Sequence, residues 1–320
     1  MRTIPSYGGP LIAHITHKRV WLGERSVLAR EHVGSFRDGG VAALPIHVDS
    51  FDDICTLMSD VIESRDSLRI CRTRGEIDVA NREGAVALLL APGFTAVGER
   101  LDRLYVLKAL GAVMFPMSLN NRNMLADGCG ERGASGLSHL GVQAVRLLNS
   151  LGIIIDVSHL SDKAFWDTIE VSDQPVIASH SDSRALCDNP RNLTDEQVRA
   201  IAERGGTVGV SVHPSLLSRN SPTVETYIDH ILHYLDVAGE DHVTMGADFI
   251  DYQIELMLPK LRPSAKLGIY HEGQVTVPGL SGFSDLAGVV ERLRARGPGD
   301  GTIEKISAGN FLRVMDAVVG

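Results

Sequence analysis

Short apolar runs alternate with amphipathic stretches along this chain of 320 residues. Residues 41–48, 85–90, 112–117, 152–157, 175–178, 208–212 and 243–245 are nearly unbroken apolar segments bounded by polar or turn residues. That pattern belongs to strands buried on both faces. Residues 9–16 read as a further strand, first in chain order, ending at His14. Helical spacing fills the intervals 25–39, 52–64, 101–110, 137–151, 161–172, 194–204 and 223–238. In the second of these, Ile54, Leu57, Met58, Val61 and Ile62 recur at three and four, one apolar face of a helix. Ser161 is placed to cap one helix, and Thr194 with Gln197 three residues later forms a capping box that Gly205-Gly206 closes at the far end. Residues 69–81 are charged and include a short helical turn before the next strand.

Eight strand candidates with helices between them predict a (β/α)8 barrel, one domain spanning residues 1–320. Right-handed crossovers bring all strand exits to one end, where such barrels keep their sites. A doubly wound open sheet is the second choice, but no GxGxxG turn opens a helix here. Composition is that of a globular protein, with 44% hydrophobic and 22% charged residues. A net charge of −9 without a Lys/Arg stripe argues against nucleic acid or an anionic membrane and leaves a small-molecule substrate as the expected partner. The four cysteines have no CxxC spacing, and no window approaches eighteen apolar residues. The expectation is a cytoplasmic protein.

The strand exits carry the chemistry. His159 follows the run 152–157, His180 follows 175–178, and Asp248 lies in the Gly-Ala-Asp-Phe segment after 243–245. Imidazoles and a carboxylate suit zinc or a related cation; the plainer alternative is that each side chain only hydrogen-bonds at a barrel rim. Arg191, in the Asn-Pro-Arg-Asn-Leu run, suits either a two-pronged clamp on a substrate carboxylate or a surface salt bridge. His14 stands at the end of the first strand candidate. The polar, glycine-rich stretch 118–136 is long enough to bind substrate, with Asn120 at its start and Arg122, Asp127, Glu131 and Arg132 beyond; it also reads as a rim loop held by its own side chains. His213 is another rim candidate.

The segments DVSHLS, PVIASHSDSRAL, NPRNLTDE, AIAERGGTVGV, GADF and KISAGNFLRV resemble the renal (membrane) dipeptidase family of zinc (β/α)8-barrel hydrolases over most of the chain. The resemblance implies a bridged two-metal centre that cleaves dipeptides or related amides, and a homodimer. It equates His159 and His180 with metal-binding histidines, Arg191 with the arginine that holds the substrate carboxylate, and Asp248 with a catalytic aspartate. Other positions depart from the family pattern. The His-x-Asp pair at the end of the first strand reads here as His14-Ile15-Thr16; the bridging glutamate falls near Ala91 and Pro92; a substrate histidine appears as Leu119; and the histidine of an HPRN run is Asn189. Two cations without a shared carboxylate repel one another, so one zinc ion is expected rather than two, on His159, His180 and either His14 or Asp248. Three readings stay open. One is a divergent metal-dependent hydrolase of a small amide, dipeptide or amino-acid-derived substrate. The second is a lyase or isomerase using the metal as Lewis acid, or no metal. The third is a non-catalytic binding protein, against which the retained His, Arg and Asp residues count.

Overall fold

The stave that closes this barrel is the least strand-like stretch of the chain. The computed structural model describes residues 2–8, 12–249, 269 and 276–320. Its strands are β1 (Ala43–Val48), β2 (Leu68–Ile70), β3 (Val86–Pro92), β4 (Met114–Pro116), β5 (Ile154–Asp156), β6 (Val176–Ala178), β7 (Thr207–Ser211) and β8 (Val243–Ala247). All paired strands run parallel, in the orders β1-β3-β2 and β4-β5-β6-β7-β8. The two sheets meet where Leu90 of β3 bridges Ala112 and Val113 N–H donates to Leu90 O at 3.0 Å. The other gap is filled by residues 3–8: Thr3 and Gly8 bridge Val41 and Ile46 on one side, and Tyr7 bridges Ala247 on the other. Residues 3–8, β1, β3, β4, β5, β6, β7 and β8 thus form a closed eight-membered ring, and β2 pads the lower edge of β3. The expected (β/α)8 barrel is the fold observed.

Two expectations need correction. Residues 12–16 are a helix, Ile12–Thr16, rather than the end of a first strand, and residues 9–11 lie outside the described residues. Ile12 and Ile15 are both buried; three apart, they form one helical face, and a short apolar run does not distinguish the two periods. The true first stave escaped the hydrophobic pattern because hydroxyl residues interrupt its two buried apolar side chains, Ile4 and Tyr7. Its Thr3 hydroxyl donates to Gly39 O at 3.1 Å and its Ser6 hydroxyl to Ser179 O at 2.7 Å. Residues 69–81, expected to hold only a short helical turn, contribute two of the three residues of β2 and all but the last residue of the helix Arg74–Arg82, capped by Thr73.

Elsewhere local signals and structure agree. Ser161 Oγ accepts Ala164 N–H at 3.2 Å at the start of Asp162–Val171, and the Thr194–Gln197 capping box is closed on both sides. The C-terminal helix Asn310–Val318 covers the amino ends of the strands, where Asn310 Nδ2 donates to Val243 O at 2.8 Å and Arg313 Nη1 to Gly205 O at 2.7 Å. Its Phe311, Val314 and Met315 are buried. That end is closed, so the carboxyl ends carry the open rim. Among the described residues no helix is long and apolar enough to cross a membrane.

Candidate active site

Three strand exits deliver the expected cluster. His159 follows β5 by three residues, His180 follows β6 by two, and Asp248 directly follows β8. Of the four non-glycine residues with positive φ among those described, His159 (71°), Ala247 (54°) and Asp248 (71°) belong to these exits. Backbone strain of this kind, of order 1–3 kcal/mol per residue, persists where the surroundings over-determine it and gathers at functional sites. His159 and His180 point inward, and their Nε2 atoms face each other at 2.9 Å. Asp248 Oδ2 lies 3.9 Å from His180 Nε2, beyond a hydrogen bond.

The opposite nitrogens set the character of the pair. His159 Nδ1 lies 2.8 Å from Asn120 Oδ1, and His180 Nδ1 lies 2.6 Å from Ser179 Oγ. The Ser179 hydroxyl donates to Asp156 Oδ2 at 2.5 Å; having one proton, it accepts from His180. Both neutral rings then carry hydrogen on Nδ1, and two Nε2 lone pairs converge on one point. Such a pair has the donor chemistry to hold a cation. A proton serves poorly, because burial, followed by the charge of Arg191, holds both imidazoles well below the usual histidine range. A tetrahedral zinc with bonds of about 2.0–2.1 Å separates two imidazole nitrogens by about 3.3 Å, within a few tenths of an ångström of the distance found. The donors therefore suit one cation on His159 and His180 with Asp248 as the nearest carboxylate. Among the described residues no group of three or more His, Cys, Asp or Glu stands at metal-ligand spacing, so the two imidazoles are the core of the arrangement and Asp248 lies outside it.

Asp248 is perturbed in the opposite direction: burial raises its carboxyl to about 6, against the pull of Arg191 and His47. Arg191, only 2% exposed, donates from Nη1 to Ser181 Oγ and from Nη2 to His180 O, both at 2.6 Å. It is a buried charge beside the pair rather than a surface salt bridge. Asn120 is buried against His159, whereas Leu119 is 40% exposed and turned away. The rest of that loop is largely self-held: Arg122 Nε pairs with Asp127 at 2.5 Å, and Arg122 N–H donates to Glu131 at 2.9 Å. Cys129 N–H donates to His159 O at 2.7 Å, which ties the loop to the site.

His14 is not brought to this cluster. On the helix Ile12–Thr16, which the sequence pattern took for strand, its Nε2 lies 3.2 Å from Glu31. Near its end the first stave carries Tyr7 instead, whose ring stacks on His180 at 4.0 Å between centroids and 12° between planes. Neither residues 7 and 8 at the end of this stave nor residues 14–16 hold a carboxylate. Ala91, paired in register with His47, is buried at the end of β3. Asn189 serves the loops, donating to Ser215 O and Ile269 O. Tyr7, Asp156 and Ser179 were not read from the sequence as site residues. The signal available for Tyr7 was an aromatic residue before a Gly-Gly-Pro break.

A closed parallel barrel that brings two imidazoles, a carboxylate and an arginine to the carboxyl ends of its strands is a (β/α)8 barrel of the metal-dependent hydrolase type. The family model for membrane dipeptidase (peptidase family M19) matches residues 47–257. An uncharacterized Klebsiella pneumoniae protein from the pqqA 5′ region is 31% identical over 285 residues, covering 84% of this chain and 95% of that one. Dipeptidase verJ of Clonostachys rogersoniana is 28% identical over 256 residues, 79% of this chain and 61% of the relative. This chain therefore spans about three fifths of that dipeptidase. The crystal structure of an amidohydrolase from Pseudomonas aeruginosa superposes with a TM-score of 0.84 at 24% identity, over 100% of this chain and 97% of the other. The chain belongs to the membrane dipeptidase family.

Proposed function

We propose that this chain is a single-domain hydrolase of a small amide bearing a carboxylate, a dipeptide or an amino-acid derivative, working with one zinc ion on His159 and His180. The observation that carries the reading is the approach of the two Nε2 atoms to 2.9 Å, with each Nδ1 facing its own oxygen partner, in a setting that disfavours a proton between them. Family membership, with dipeptidases among the relatives, supports the reaction class. A zinc ion held there supplies a Lewis acid for the scissile carbonyl. Asp248, with its carboxyl raised to about 6, is poised near neutrality to take a proton from attacking water and return it to the leaving amine. Arg191 places a positive charge that reaches His159, His180, Asp248 and Tyr7 and is matched by a substrate carboxylate. Asn120 orients His159 from the loop. A cytoplasmic homodimer belongs to the same proposal.

The lyase or isomerase reading has one observation in its favour: β3 ends in buried Ala91-Pro92, with no carboxylate to bridge a second cation. Elemental analysis and product analysis test both. One equivalent of zinc in the purified chain, lost in His180→Ala, with release of free amine from L,L or L,D dipeptides, is the expected result. Two tightly held equivalents refute the single-cation site, and none refutes the metal. Turnover of amino-acid derivatives without amine release moves the assignment to the second reading.

A further inference from the structure

Neutral His180 has a simple escape from the lone-pair conflict with His159: move its proton from Nδ1 to Nε2 and donate across the 2.9 Å gap. Buried groups behind the ring prevent this. Asp156, 0% exposed at the end of β5, accepts Ser158 N–H at 2.9 Å and Ser179 N–H at 3.0 Å on Oδ1, which leaves Oδ2 for the Ser179 hydroxyl at 2.5 Å. The hydroxyl proton is thereby committed, and a serine lone pair is presented to His180 Nδ1 at 2.6 Å. The residue is held on either side of this contact: the backbone N–H of His180 donates to Ser158 Oγ at 3.1 Å, and Tyr7 stacks on the imidazole face.

We infer that Asp156, acting through the Ser179 hydroxyl, is the positioning residue that locks His180 with hydrogen on Nδ1 and keeps its Nε2 as an open lone pair for a cation. The inference rests on the reading of His180 as a ligand. It follows the general rule that a ligating histidine is oriented by the partner of its other nitrogen, here with a serine relaying the carboxylate. Its consequence is a polarity that can be reversed. In Asp156→Asn the amide oxygen still accepts the two backbone N–H groups, but the amide nitrogen donates to Ser179 Oγ. The serine proton then turns to His180 Nδ1, and the imidazole hydrogen moves to Nε2. In Ser179→Ala the relay is cut, and donation from His180 Nε2 to His159 becomes the favoured arrangement.

The test uses the full chain labelled with ¹⁵N-histidine, stripped of metal by a chelator. Long-range ¹H–¹⁵N spectra report the tautomer, with His180 assigned by its loss in His180→Gln. Hydrogen on Nδ1 in the unsubstituted protein and on Nε2 in both variants is expected. A Co²⁺ titration read by visible absorption should then show about 10–100-fold weaker binding in each variant. Hydrogen on Nε2 in the unsubstituted protein, or an unchanged tautomer in the variants, overturns the inference. Ser179→Ala, the milder substitution, decides the question if Asp156→Asn does not fold. If the tautomers follow the expected pattern while the unsubstituted protein takes up no Co²⁺, the positioning role stands and the metal reading above falls.

Discussion

His230 offers a way to load this barrel from outside its active site. It lies on the helix Val224–Ala238, fully buried, with Nδ1 accepting Ser183 N–H at 3.0 Å and Nε2–H donating to Leu217 O at 3.0 Å. Ser183 stands three residues beyond His180, so the ring braces the loop that leaves β6. Both bonds require a neutral ring, because protonated Nδ1 can no longer accept. Burial, the main cause, depresses the imidazole from 6.5 to about 4. A lowered folded-state pKa means that the unfolded chain takes up the proton first as the pH falls. The contribution to stability is therefore complete above about pH 6.5 and is lost as the pH drops towards about 4. At about pH 5 the unfolded imidazole is almost wholly protonated and the folded one about a tenth so, which costs about 2 kcal/mol. Urea unfolding of the natural protein and of His230→Gln, compared at about pH 8 and about pH 5, isolates this effect. The variant starts lower by about 1–3 kcal/mol because Ser183 N–H and Leu217 O lose their partner. Between the two pH values it should then lose about 2 kcal/mol less than the natural protein. Equal losses would refute the linkage argument.

Two further substitutions probe what holds the site in place. A Cβ on Gly209 would stand 2.2 Å from Ser179 O and 2.4 Å from Ser6 Oγ, so Gly209→Ala should force β7 away from β6 and the first stave. A loss of about 1–3 kcal/mol by the same unfolding assay is expected, and unchanged stability would show that the interior has room. Asp127 gathers Arg122 and the N–H groups of Ser135 and Gly136 around one carboxylate, so Asp127→Ala should release the loop and speed tryptic cleavage after Arg122 or Arg132. A cleavage rate equal to that of the natural protein would mean that other contacts order the loop.

What the sequence determined by itself is the alternation of elements and the end of each that matters. Continuous apolar runs, helical spacing and cap residues are local properties, and they located seven staves, the helices between them and the exits bearing His159, His180 and Asp248. The family motifs added Arg191. Tertiary structure decided the closure of the ring and therefore which exits meet. Residues 3–8 mix hydroxyl and apolar side chains, and the hydroxyls find partners far along the chain, as Ser6 does with Ser179, 173 positions away. No local period reveals such pairing, and so Tyr7 was missed and His14 was placed at a strand end that does not exist. The meeting of the two Nε2 atoms, and the Asp156–Ser179 relay behind one of them, are likewise long-range. They depend on β5 and β6 lying side by side and on positive φ angles that the barrel imposes at the exits, since hydrogen-bond direction between side chains is set by what surrounds them and not by their spacing along the chain.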